Sequence, residues 1–121
     1  MSSKRTKENQ SIVVLTTCGD WESASRLANE LVAARLAACV QIDQPVVSVY
    51  RWENKVETAQ EYRLVIKSTR SQEKSLFEKI VELHSYEVPQ VISLPVQNGT
   101  DAYLSWLFNE VGNNEVGNGS P

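Results

Sequence analysis

The chain has 121 residues, 41% of them hydrophobic and 22% charged, which is the size and balance of one globular domain with a core of its own. The net charge of −3 and a pI near 5.2 exclude the basic face that a phosphate backbone requires, and three of the basic side chains (Lys4, Arg5 and Lys7) crowd into the first ten residues, leaving the rest more acidic still. No run approaches the ~20 apolar residues of a membrane span, so neither nucleic acid nor a bilayer is an expected partner.

Residues 1–10 are polar and read as a disordered arm. No apolar segment follows their basic residues, so a secretory signal is not expected and the cytoplasm is the expected location. Residues 11–17, SIVVLTT, form a short apolar run suited to a central strand. Asp20 is placed to cap a helix in which Ala24, Leu27, Ala28, Leu31 and Val32 recur at helical spacing, ending near Arg35. Residues 37–42 read as a second strand.

Residues 46–68 carry the most informative pattern, two strands folded back on each other. Residues 57–60 are the expected turn. A first arm of ten or more residues would reach roughly 33 Å at about 3.3 Å per residue, nearly the whole width of a domain this size. Tyr50 and Trp52 point to one face, Val47 and Val49 to the other. A projecting hairpin with two apolar faces implies an oligomer.

Beyond it, Thr69 and Gln72 fit a capping box, and Leu76, Phe77, Ile80, Val81 and His84 follow at helical spacing. Residues 91–96 form a strand that Pro95 assigns to an edge or a bulge. A last helix starts at Asp101, with Tyr103, Leu104, Leu107, Phe108 and Val111 on one face, and Gly112 ends it. Residues 113–121 read as a disordered tail. The fold class is therefore α+β: a ferredoxin-like βαββαβ sandwich over residues 11–112, with a long β-hairpin and an extra C-terminal helix.

Several stretches match one family in order and spacing: Leu36-Ala37-Ala38-Cys39-Val40, Ser48-Val49-Tyr50-Arg51-Trp52-Glu53-Asn54-Lys55, Glu61 with Lys67, His84-Ser85-Tyr86-Glu87-Val88-Pro89, Leu94-Pro95-Val96 and Tyr103-Leu104-Ser105-Trp106. Together they resemble the CutA family of divalent-cation tolerance proteins over residues 12–111. The resemblance implies a PII-like homotrimer linked to copper and other divalent cations. Two positions depart from the family pattern. Ser85 stands where proline is usual, and Asn54 where glycine is frequent, although asparagine tolerates positive φ.

Cys39 and His84 are the candidate metal ligands, thiolate and imidazole being the donors here that favour copper. Each has a structural alternative, Cys39 as a small buried hydrophobe and His84 as a helix C-terminal residue. One histidine per chain does not close a metal site, so carboxylates or neighbouring subunits would have to contribute. Trp52, Glu61, Lys67, Tyr86 and Trp106 form the candidate ligand-binding cluster, where Lys67 would hold an anionic or zwitterionic small molecule against a ring. Subunit packing and ordinary ion pairs are the alternative. Neither a glycine-rich phosphate loop nor an HExxH motif is present, and the chain reads as a non-enzyme. The expected function is a trimeric, PII-like role in cation tolerance, binding a metal or small ligand at or between subunits. An assembly platform is the first alternative and a small enzyme the second.

Overall fold

A computed structural model describes residues 9–112; residues 1–8 of the expected arm over 1–10, and the expected tail over 113–121, lie outside the described residues. Gln10 already belongs to the body, its carbonyl accepting from the Arg70 N–H at 2.8 Å.

The elements run β1 (Ser11–Cys18), α1 (Trp21–Ala33), β2 (Cys39–Ile42), β3 (Val46–Trp52), β4 (Lys55–Thr69), α2 (Glu73–Leu83), β5 (Ile92–Pro95) and α3 (Asp101–Glu110). The sheet order is β2-β4-β1-β5, with β3 paired to β4, and every pairing is antiparallel. This is the expected ferredoxin-like order. β5 lies at the edge, where the missing N–H of Pro95 costs no ladder bond.

Strand alternation sets the layers. Ile12 and Val14 on β1 and Leu64 and Ile66 on β4 turn toward the helices, which contribute Ala24, Leu27 and Leu31 from α1 and Leu76 and Ile80 from α2 to one buried cluster. The opposite pleat faces carry Val13 and Leu15 on β1, Val65 and Lys67 on β4, and Cys39 and Gln41 on β2, since directly paired residues share a side. Asp20 caps α1 as expected, its Oδ1 accepting from the Ser23 N–H at 2.8 Å. Beyond α1, Arg35 takes φ 61°, a left-handed conformation for a side-chain-bearing residue. Its backbone carbonyl accepts from Gly112 N–H at 2.8 Å, and its guanidinium donates to the carbonyls of Gly112 and Asn109 at 3.1 Å. That clamp ties the end of α3 to the end of α1.

Three local expectations change. The hairpin turn is Glu53-Asn54, not residues 57–60, which lie inside the ladder opposite 47–50. Glu53 and Asn54 have φ 50° and 69°, the paired positive values of the two-residue turn whose twist matches the flanking strands. In consequence the long arm is the second one. β3 has seven residues and β4 fifteen, about 50 Å at ~3.3 Å per residue. Finally, no capping box forms at Thr69. Its hydroxyl meets Ser71 Oγ at 3.1 Å, and a single 3-10 turn over Arg70–Gln72 precedes α2.

β4 divides at Glu61. Residues 55–61 pair with β3, whereas residues 62–69 pair with β1 and 64–67 also with β2. The outer half is a two-stranded ribbon. Val47, Val49 and Val56 on it are 64%, 67% and 65% exposed, with Tyr50 and Trp52 also open to solvent.

Candidate functional site

Glu61 sits where the ribbon joins the body, and it is only 8% exposed. Its Oε1 accepts from Ser48 Oγ at 2.7 Å, and its Oε2 accepts from the Tyr86 hydroxyl at 2.7 Å. Ser48 lies two residues beyond Val46, the ladder partner of Glu61, and so shares its pleat face. Tyr86 arrives from the connector after α2. Its hydroxyl lies over Gly19, where an added Cβ would sit 3.1 Å from it, so any side chain there would push the Tyr86 ring by a few tenths of an ångström.

His84 fixes the start of that connector. It caps α2 and uses both ring nitrogens: Nε2–H donates to the Thr17 carbonyl at 2.8 Å, and Nδ1 accepts from the Tyr86 N–H at 3.0 Å. Those two partners specify the Nε2–H tautomer. The Cys18 thiol lies 3.9 Å from Nε2, and the His84 and Tyr86 rings are 4.9 Å apart. These contacts hold Tyr86 over the root of the hairpin.

Between hairpin and connector lies a cavity of about 720 Å³. Its lining includes Ser48, Tyr50, Trp52, Glu61, Tyr86 and Glu87, and no lysine, arginine or histidine lines it. Burial, followed by the hydrogen bond to Glu61, holds the Tyr86 phenol well above its ordinary pKa, so it remains a proton donor to the carboxylate.

The sequence-derived ligand cluster thus separates. Trp52, Glu61 and Tyr86 line one cavity. Lys67 shares a strand with Glu61 but lies six residues away, about 20 Å. Its Nζ donates to Gln41 Oε1 at 3.0 Å. Trp106 is on α3, tilted against Tyr103 at 5.5 Å, outside the cavity lining. Ser48, Tyr50 and Glu87 are among the lining residues not picked out in advance. A turn at 57–60 sets a register in which Ser48 does not approach Glu61; the observed turn at Glu53-Asn54 brings them together.

The metal pair also separates. Cys39 is partly exposed on the pleat face of Lys67, whereas His84 meets Cys18 and Thr17 at the far end of β1. With both its nitrogens engaged, His84 offers no lone pair to a metal in this arrangement. Among the described residues no group of three His, Cys, Asp or Glu side chains is placed to hold an ion. The described residues of this chain therefore do not assemble a copper site.

Cys18 is the thiol beside the site. Burial, with the charges of Asp20 and Glu61 adding to it, pushes it from 9.0 up to about 11. It is a protonated thiol near neutrality, not an activated nucleophile. Because the fold favours the protonated form, its stabilising contribution is complete below pH 9 and is lost as pH rises toward 11. The Cys18 13Cβ chemical shift followed by NMR in a Cys39→Ser background, which reads the thiol in the folded protein, should titrate with an inflection near 11. An inflection at or below 9 would remove the buried, acidic setting described here.

Comparison with known proteins gives concordant results. Residues 12–110 match the family described as CutA1 divalent ion tolerance protein. The chloroplastic protein CutA of Arabidopsis thaliana is 45% identical over 103 residues, which cover 85% of this chain and 57% of that protein. The chain thus spans little more than half of that plant relative. The divalent-cation tolerance protein CutA of Pectobacterium atrosepticum is 41% identical over 96 residues, covering 79% of this chain and 87% of that one. Among solved structures, CutA1 from Oryza sativa superposes with a TM-score of 0.84 at 41% identity, covering 88% of this chain and 98% of that one.

Proposed function

The chain belongs to the CutA1 family of divalent ion tolerance proteins, and from that premise we propose that it serves cation tolerance as a PII-like homotrimer that binds a small ligand at the Glu61 cavity without turning it over. The observation that carries this reading is the outer ribbon. Five large hydrophobic side chains (Val47, Val49, Tyr50, Trp52 and Val56) are exposed across both of its faces. A lone two-stranded ribbon is at best marginally stable in water. A second copy of the chain is the natural cover for it, because the ribbon also carries free strand edges.

Two features of the site support binding rather than catalysis in this reading. Cys18 is held protonated, and Glu61 already accepts from two donors. The soft-metal pair is not assembled within one subunit, so a copper site in this reading would draw on donors from more than one subunit. Light scattering coupled to size exclusion at low micromolar concentration is expected to give three times the 13.6 kDa chain mass. A stable monomer would remove the assembly from this reading.

A further inference from the structure

We propose that the cavity at the root of the hairpin binds a small organic cation through an ammonium group, with Glu61 as the counter-charge and the rings of Trp52, Tyr50 and Tyr86 as the walls. The proposal deepens the ligand-binding reading above and rests on it. Its starting point is the sign of the cavity. A ligand held by Lys67 would be anionic, but Lys67 is about 20 Å along the strand and no basic side chain lines the space.

Glu61 is a carboxylate more than nine-tenths buried, and no ion pair among the described residues includes it. Taking such a charge out of water is unfavourable unless a counter-charge compensates it. Two neutral donors, Ser48 and Tyr86, fill two of the roughly four acceptor positions a carboxylate offers. The remaining capacity and the whole of the charge are left for a cation. Glu87 adds a second, exposed carboxylate to the lining. Aromatic faces attract cations through their negative quadrupole, and three aromatic residues line this space. The volume of about 720 Å³ suits a small molecule rather than a bare ion. A bare metal ion is further disfavoured because no third carboxylate, histidine or cysteine joins the two carboxylates among the described residues.

Calorimetry on the full chain tests this with three probes of similar length: 1,4-diaminobutane as the cation, 1,4-butanediol as the neutral analogue and succinate as the anion. Saturable heat is expected from the diamine alone. Glu61→Gln, nearly isosteric, should weaken diamine binding at least tenfold while the circular dichroism spectrum and the light-scattering mass stay unchanged. Glu87→Gln should give a smaller loss. Equal binding of the diol or succinate, unchanged affinity in Glu61→Gln, or no saturable heat from the diamine at millimolar concentration would each overturn the proposal. The last result is also the one expected if a side-chain ammonium of a neighbouring copy fills the cavity. The mass measurement separates this failure from that of the broader reading: a trimer that ignores the diamine keeps the assembly and loses the cation site, and a monomer that binds it does the reverse.

Discussion

Replacing Val47 and Val49 together by aspartate is expected to dissociate the proposed trimer into monomers at low micromolar concentration. Both valines lie on one face of the outer ribbon, opposite Gln60 and Thr58, and both are about two-thirds exposed in the isolated subunit. Fully burying a valine side chain stabilises by about 1.5–3 kcal/mol; burying only the two-thirds that is still exposed gives roughly 1–2 kcal/mol each, so two per subunit supply about 2–4 kcal/mol of association. With about 1.4 kcal/mol per tenfold, their loss weakens assembly by at least ~20-fold, before the cost of placing two carboxylates in a contact is counted. Light scattering reads the outcome directly. The body of each subunit should keep its secondary structure, because neither valine belongs to the buried cluster beneath α1 and α2. A double variant that remains a trimer would show that subunits meet through another surface, with the exposed Tyr103, Trp106 and Phe108 of α3 the next to be tested.

That prediction depends on a feature the sequence displayed well. Alternation of β-branched and aromatic residues over 46–68 is a property of the strands themselves, so the ribbon and its two apolar faces were legible. The helices were legible for the same reason: Leu27 and Leu31, or Leu76 and Ile80, fall on one side of a 3.6-residue period whatever the tertiary context. Register was not. Glu53-Asn54 lacks the Asn-Gly or Asp-Gly pair that announces a two-residue turn, and the strand residues around it continue the alternation without a break. A five-residue error in the turn is enough to separate Ser48 from Glu61. The site suffered in a second way. Parity along β4 correctly puts Glu61 and Lys67 on one pleat face, but parity carries no information on how far apart two groups act. Where Tyr86 lands depends on the path of a connector after α2, set by His84, Thr17 and Gly19, which are remote in sequence. Likewise, His84 meeting Cys18 rather than Cys39 follows from strand order and pleat face together, and neither follows from a motif spacing.

Ile66→Ala is expected to lower the unfolding free energy by about 2–5 kcal/mol, the range for removing a large aliphatic side chain from a packed interior. Ile66 lies on the inner half of β4, paired with Val14 of β1 on one side and Val40 of β2 on the other, and it is fully buried with Leu31, Leu76 and Ile80 in the cluster between sheet and helices. Domains of this kind have only about 5–15 kcal/mol in total, so the loss is a large fraction of the whole. Val56→Ala, ten residues earlier on the same strand, should behave differently. It removes a side chain that is 65% exposed in the subunit, so little subunit stability is at stake and the effect should fall on assembly. Guanidinium titrations at several protein concentrations distinguish the two, because unfolding coupled to dissociation depends on concentration. For Ile66→Ala the midpoint should drop by a similar free energy at every concentration, and for Val56→Ala the shift should be absent at low concentration and grow as rising concentration lets assembly contribute. A loss below about 1 kcal/mol for Ile66→Ala would mean that the site collapses around the deletion or is less tightly packed than its burial indicates. Equal behaviour of the two variants would contradict the division of β4 at Glu61, where the strand passes from the ribbon into the four-stranded body and where the buried carboxylate sits.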